Sequence, residues 1–533
     1  MREKQRFPLG RVVSGGVEYD AYQLPFQNLY ETLERTASDF PEKIGIIDAQ
    51  RQITFGHLKE ETDAFSAYLY HTLGIRPGDV VALMLVNSIE FVVAFYAALK
   101  IGAAVVSINT KYGPTEIRFV LDDSQAAFLI TDAKWYPRAK EVLSDTRVKC
   151  VLSSGACAEL ISMAQAEAEG CTFPVPATVR DDSALALIMY TSGTTGRAKG
   201  ASMSHFNLMQ AMYAYAVADN MDDRESTVLA VPAFHITGLN CVLTLFIFLG
   251  GLMVMIPYFD AVEALDKMTQ YQITHFHAVA TIYMMLESAM EERHDLSGLR
   301  TALCGGGFIS SETVARFCAK APNCRFHPVY GMTETSGAGT YFLEHCLDSA
   351  IENSCGRVVP NCEIRVVDPQ GNEVPAGVSG EICFRGPFVI RNYLHNISGG
   401  SFRDGWLASG DVGCFDENGN LYIKDRIKDM INRGGEKIFS LGVEDQIMEF
   451  GGIHQAAVFA VDDSLYGEVP AAVIIPEAGH SVDLEQLRTF LRARLAHYKV
   501  PVYMEARSTM PTTANGKVRK SLLRQEFNEK YSH

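Results

Sequence analysis

Hydrophobic and polar positions alternate along this chain in two rhythms. Segments apolar at every position, at 80–86, 128–130 and 184–189, and one at 104–108 broken only by Ser107, have the length and Val/Ile/Leu/Ala content of strands buried on both faces. Between them, at 58–73 and 90–100, apolar residues recur three and four apart, which predicts helices. Pro114 opens another helix, at the position where its missing N–H costs nothing. A short amphipathic helix over 29–37 and a strand pair at 43–49 and 52–55 come first, and a strand at 148–152 extends the series. Residues 1–27 lack periodicity and read as an irregular leader. Residues 153–182, rich in Ala and Glu and ending in Phe173-Pro174-Val175-Pro176, read as a surface excursion.

The rhythm resumes with a short strand at 200–203, helix 206–218 and strand 227–231. A buried helix, a turn and a buried strand follow within 238–256, then helix 260–270, strand 273–279, helix 281–291 and strand 300–304. Such alternation predicts mostly parallel sheets with helices on both faces, and ligands at the carboxyl ends of strands. Past Val329 short strands at 363–367 and 380–384 stand among glycines, as in a small β-rich unit. Strands at 456–461 and 471–475 and a helix at 484–495 form a group of their own. The expected class is therefore α/β. A large N-terminal domain, 1–427, would hold two mostly parallel sheets with flanking helices plus a small β-rich subdomain. A separate, small, mobile α+β domain would occupy 428–533.

Composition narrows the function. At 533 residues the chain is too long for one core and suggests about three or four structural units. The 47 Lys+Arg against 63 Asp+Glu give a net charge of -16, which argues against nucleic acid or an anionic membrane as partner. The 12 cysteines form no Cys-x-x-Cys pair, as in reduced thiols of a cytoplasmic enzyme. No apolar core follows the charged start, so no signal peptide is expected, and the longest apolar stretch, 241–256, is short for a bilayer and broken by Gly250-Gly251.

Chemistry gathers first at 190–200, Tyr-Thr-Ser-Gly-Thr-Thr-Gly-Arg-Ala-Lys-Gly, directly after an apolar strand. Gly193, Gly196 and Gly200 let main-chain N–H groups approach an anion. Thr191, Ser192, Thr194 and Thr195 add hydroxyls, and Arg197 and Lys199 add cations. The Gly-Lys-Ser/Thr of a Walker loop is absent. A phosphate loop and a solvated hairpin tip both fit this stretch alone.

Four further stretches would serve a nucleotide. Gly305-Gly306-Gly307 closes a strand and admits a flat ligand, or is simply a tight turn. Tyr330-Gly331-Met332-Thr333-Glu334-Thr335 offers an aromatic face, a hydroxyl and a carboxylate able to hold Mg²⁺. Ser409-Gly410-Asp411 places a carboxylate for two ribose hydroxyls, or forms an Asx-turn. Asn515-Gly516-Lys517 carries a lysine on a polar turn, where a solvated surface charge is the plain alternative.

These motifs, with 424–429 (Lys-Asp-Arg-Ile-Lys-Asp), stand in the order and spacing of the adenylate-forming superfamily, which the chain resembles from about 28 to 525. The sequences at 431–438 and 495–501 resemble its fatty-acyl, aryl and carnitine-type CoA ligase branch. The resemblance implies a two-step reaction: a carboxylate attacks the α-phosphate of MgATP to give acyl-AMP and pyrophosphate, and CoA then displaces AMP. It implies that 191–199 grips the β- and γ-phosphates, that Thr333 contacts the α-phosphate and that Glu334 binds the metal. Tyr330, with Gly331 and Met332 beside it and Gly306-Gly307 opposite, would hold adenine; Asp411 and Arg426 would hold ribose. Lys517 would bridge carboxylate and α-phosphate in the first step only. Lys428 would be the hinge that brings Gly434-Gly435 to the CoA arm in the second.

The chain departs from the family where Gly442 replaces the first of two glutamates, Glu444 keeping the second, and where Phe308 and Asp462 each stand in place of a usual proline. The acyl pocket is expected from 234–238, 279–281, 304–308 and 329–337, with His235 as a gate and Ala280, Gly306 and Gly337 leaving room for a chain. His235 stands where amino-acid-activating domains carry an aspartate, which disfavours an amino acid. Medium-chain, aryl and carnitine-like acids stay open, as do a carrier-protein acceptor, a homodimer and a nucleotide-binding pseudo-enzyme.

Overall fold

The structure, a computed structural model, describes residues 6–191, 198–307, 309, 311–341, 354–396, 400–477, 479–512 and 518–531. The chain divides into two compact units: Met1–Ile364 with Phe384–Leu407, and Arg365–Cys383 with Ala408–His533.

The first unit holds two seven-stranded sheets. One runs Lys199–Ser204, Leu185–Thr191, Ala104–Ser107, Val80–Met84, Phe128–Thr131, Cys150–Ser153, Ile161–Ser162; only its first pair is antiparallel. Every residue of the three strands at its middle is buried, which is why they read as apolar runs, polar only at the closing Ser107 and Thr131. The other runs Arg325–Pro328, Thr301–Gly305, His275–Val279, Ser226–Leu229, Leu252–Met255, Ile44–Ile47, Gln52–Thr54, antiparallel only at its last pair. The α/β class with two mostly parallel sheets is thus as expected.

Local signals set the helix starts. Ser88 and Ser204 accept from the N–H groups of Phe91 and Asn207 and so cap Ile89–Lys100 and His205–Ala218. Pro114 opens Pro114–Asp123, with Gly113 N–H donating to the Glu116 carboxylate.

Two expectations fail. The leader is a β-hairpin, Leu9–Ser14 with Val17–Tyr22, pinned where Tyr22 and Gln210 exchange backbone-to-amide hydrogen bonds of 2.9 and 2.7 Å. Its strands are short and half their residues are exposed, so no apolar rhythm announces them. The surface excursion contains a helix, Met163–Gly170, packed on Phe55–His71 so closely that a Cβ on Gly170 would come within 1.9 Å of the Ala64 carbonyl oxygen. The stretch at 236–249 is a helix interrupted by a π-helical turn, Leu239–Thr244, and ended by Gly250 in the left-handed region. Among the described residues no helix is long and apolar enough to cross a membrane.

The second unit is α+β. Its sheet runs Glu436–Ile438, Ile431–Arg433, Gly467–Pro476, Ile453–Asp463, with Tyr503–Ala506 parallel to Gly467–Pro476. Helices Ser440–Met448 and Leu484–Arg492 bury Ile447, Leu487 and Leu491 with Ile431 and Ile474. Helix Lys520–Tyr531 buries Leu523 and Phe527 against Phe459 and Val473.

Candidate active site

Thr191 ends one strand and pairs in register with Lys199, the first residue of the antiparallel return strand. These two paired strand ends flank the glycine-and-hydroxyl stretch. Ser192, Gly193, Thr194, Thr195 and Gly196 lie outside the described residues, as do Arg197, Phe308 and Lys517.

Glu334 is the hub of the hydrogen bonding here. It sits on a buried 3₁₀ turn, Thr333–Thr335, whose Glu334 carbonyl accepts from Ile390 N–H at 2.9 Å. Oε1 accepts the Thr191 hydroxyl at 3.1 Å and the Tyr393 hydroxyl at 3.0 Å. Lys199 Nζ stands 5.1 Å from the centre of the Tyr393 ring, within cation–π range. Burial, and then the adjoining carboxylate, push the Tyr393 phenol well above its ordinary value, so it stays a donor. Three stretches far apart in sequence thus meet at one carboxylate. Tyr393 is a member that sequence reading missed; one tyrosine in Arg391-Asn392-Tyr393-Leu394 matches no pattern.

The neighbouring sheet edge collects the residues assigned to adenine. Cys304 pairs with Pro328, so Gly306-Gly307 and Tyr330-Gly331 leave adjacent parallel strands at their carboxyl ends. Gly306 has φ +74, and nothing lies within 4 Å of a Cβ on Gly307. Tyr330 is buried with its ring 5.4 Å from Phe384. Gly331 has no room for a side chain: a Cβ would meet the Gly337 carbonyl oxygen at 2.4 Å. Met332 N–H donates to Thr335 Oγ1 at 3.0 Å, which shapes the turn holding Thr333 half-exposed. His235 precedes the short helix Ile236–Gly238, half-buried, with its ring 4.7 Å from Phe234.

In the second unit Asp411 and Arg426 face each other across paired strands, Arg426 Nε donating to Asp411 Oδ1 at 3.0 Å. Lys428 is exposed in the next turn, which Met430 N–H closes onto the Arg426 carbonyl. Gly434 and Gly435, at φ +59 and +95, turn the hairpin between Ile431–Arg433 and Glu436–Ile438. Gly434 N–H donates to the Tyr466 carbonyl at 2.7 Å and Gly435 N–H to Asn432 Oδ1 at 3.1 Å. A polar network that sequence reading missed lies nearby. Lys520 Nζ meets Glu444 at 2.7 Å and Ser440 Oγ at 2.8 Å, and Ser440 donates through N–H and Oγ to buried Asp425. Burial raises both carboxyls, and Lys520 opposes it. Gly442 is exposed with nothing within 4 Å of a Cβ, so a glutamate missing there leaves no gap in the packing.

Known proteins give this constellation a family. The description AMP-binding enzyme matches residues 33–394, and AMP-binding enzyme C-terminal domain matches 442–517. The chain is 33% identical over 459 residues to a feruloyl-CoA synthase of an Amycolatopsis species, covering 85% of the chain and 90% of that protein. It is 31% identical to a long-chain-fatty-acid–CoA ligase of Salmonella typhimurium, covering 94% and 95%. A solved o-succinylbenzoate CoA synthetase of Bacillus subtilis, in complex with an acyl-adenylate intermediate, has a TM-score of 0.81 at 27% identity, covering 94% of this chain and 99% of that one. The chain belongs to the AMP-binding enzyme family. By class it is an AMP-forming acid–thiol ligase.

Proposed function

We propose that this enzyme activates a small carboxylic acid as acyl-AMP at the edge of the first unit and then hands the acyl group to free CoA. The observation that carries the first half is the Glu334 hub. One buried carboxylate, two hydroxyls and a lysine converge where the strand ending at Thr191 pairs with the strand starting at Lys199. In adenylation two anions meet while charge grows on phosphate oxygens, so fixed donors and cations carry the catalysis. In this reading Thr191 to Gly196 and Lys199 hold the β- and γ-phosphates and Thr333 the α-phosphate. Tyr330, Gly331, Met332, Gly306 and Gly307 line the adenine site.

Mg²⁺ suits Glu334, because this ion takes one or two carboxylates along with substrate phosphates. When bound it would neutralise phosphate charge. We take the mobile domain as beginning near 428: Asp411 and Arg426, just before it, would hold the ribose, and Lys517, within it, would bridge the carboxylate and α-phosphate. The exposed turn at Lys428 is where backbone rotation could exchange Lys517 for the Gly434-Gly435 loop, which would guide the CoA arm. We place the reaction in the cytoplasm. The test is pyrophosphate release from ATP in the presence of a panel of organic acids, followed by acyl-CoA formation. Adenylation without thioester from free CoA, restored by a carrier protein, would move the acceptor to that protein.

A further inference from the structure

One sheet of the first unit has unlike faces, and both are buried. Strands His275–Val279, Thr301–Gly305 and Arg325–Pro328 pair in register. Phe276, Ala278, Ala302, Cys304 and Phe326 face a wholly apolar core. The alternate positions present His275, His277, Thr301 and His327, all buried, with Leu303 between His277 and His327.

His275 and His277 are 1% and 2% exposed, and burial pushes each down to about 3. Both imidazoles are therefore neutral at working pH, each with one nitrogen that donates and one that accepts. Among the described residues neither ring nitrogen of His275, nor Nδ1 of His277, has a hydrogen-bond partner. Native interiors seldom leave such atoms unpaired, and a ligand is one thing that pairs them.

His277 is the one near the reaction end. Its Nε2 lies 3.7 Å from where a Cβ would stand on Gly305, which leads into Gly306-Gly307. The Tyr215 ring stands steeply inclined to His277, at 64° and 5.7 Å, and the Tyr215 hydroxyl donates to the Gly337 carbonyl at 2.9 Å. The π-helical turn Leu239–Thr244 completes the wall; such turns are rare and recur at functional sites. It sets Cys241 so close to Gly337 that a Cβ there would lie 2.4 Å from Sγ, and Asn240 Nδ2 donates to the Ser336 carbonyl at 2.9 Å. Gly337 therefore does not leave the room for a chain that its size suggests. Tyr215, Cys241 and His277 close that side, held partly by hydrogen bonds that cannot slide apart as packed methyl groups can.

We propose that these three residues are the floor of the acyl pocket and that His277 receives a hydroxyl at the far end of a short aromatic acid. The inference rests on the ligase reading above and narrows its substrate to hydroxylated aryl acids over straight-chain ones. A hydroxyl donates and accepts, as a neutral imidazole does, so the two match. An alkyl chain would offer the imidazole no hydrogen bond and would run into a fixed wall.

The test is kcat/KM for pyrophosphate release with a hydroxylated aryl acid, its unsubstituted parent and straight-chain acids of similar length. The hydroxylated acid should lead its parent by about 10²-fold or more, since a site built to bond a hydroxyl rejects analogues lacking it. His277→Leu should bring that ratio near one with KM for ATP unchanged, and His277→Gln should keep part of it. If the parent or straight-chain acids serve as well in the wild-type enzyme, the floor is wrong while the ligase reading stands. The same holds if His277→Leu keeps the preference. If no acid releases pyrophosphate, the ligase reading falls and takes the floor with it. The wild-type panel decides the matter even where His277→Leu fails to fold.

Discussion

The two units hold their candidate residues in opposite ways. In the first, Thr191, Glu334 and Tyr393 are locked to one another, and Lys199 stands over the tyrosine ring. In the second, Asp411 and Arg426 are paired, but Lys428 is exposed on a turn and Gly434-Gly435 lie in left-handed backbone. The first arrangement suits groups that must be in place before charge develops. The second suits parts that are exchanged between two half-reactions. In the proposed reading the difference separates a fixed phosphate site from a delivery device, and variants can probe each side.

Lys517→Ala should break the delivery side hardest. Adenylation should fall by about 10²–10³, as on loss of one transition-state charge stabiliser, while CoA attack on synthetic acyl-AMP survives. Equal loss of both steps in single-turnover assays would remove the distinction. On the fixed side, Glu334→Ala strands the Thr191 and Tyr393 hydroxyls and should lower kcat/KM for ATP by about 10². The Mg²⁺ concentration at half-maximal rate should rise with it.

The pH response should set the units apart. Burial pushes His205 down to about 4 and His275 and His277 to about 3, all in the first unit. Below the ordinary value of 6.5 the unfolded chain binds protons that these folded sites refuse. Stability is therefore full above 6.5 and is lost as pH falls, by about 2 kcal/mol per histidine at about pH 5. In the second unit burial, then Glu444 and Glu449, push Asp445 up to about 7. There the folded state binds the proton better, so stability declines as pH rises from the ordinary 3.8 through about 7. Pulse proteolysis in urea at about pH 5 and about pH 7.5, with fragments assigned to each unit, should show the opposite trends. The smallest effect belongs to Gly442→Glu. An added carboxylate in open space at a helix start should change stability by no more than about 0.5 kcal/mol and leave the thioester step nearly unaltered. A large gain in that step would make Gly442 a real defect.

How much of this was legible in the sequence follows from where the information lies. The parallel sheets were readable because Val80–Met84 and Phe128–Thr131 are buried on both faces and so are apolar throughout but for the closing Thr131. The site motifs were readable because each keeps its chemistry within a few consecutive residues. Tyr393 and the Lys520–Glu444–Ser440–Asp425 network were not, since each joins residues far apart by contacts that leave no local pattern. The hairpin at 9–22 stayed hidden because half of its strand residues are exposed and its strands are short. The pocket floor was hidden too: His275-Phe276-His277-Ala278 reads as a strand, but only the packed sheet tells which face meets Tyr215.

The central claim is that the hub at Glu334 and the lysine at 517 act on one ATP to activate an acid. Acid-dependent exchange of labelled pyrophosphate into ATP tests it most directly. The account predicts exchange that requires a carboxylic acid and Mg²⁺ and that nearly vanishes in both Glu334→Ala and Lys517→Ala. Exchange without any acid, or undiminished exchange in either variant, would contradict it.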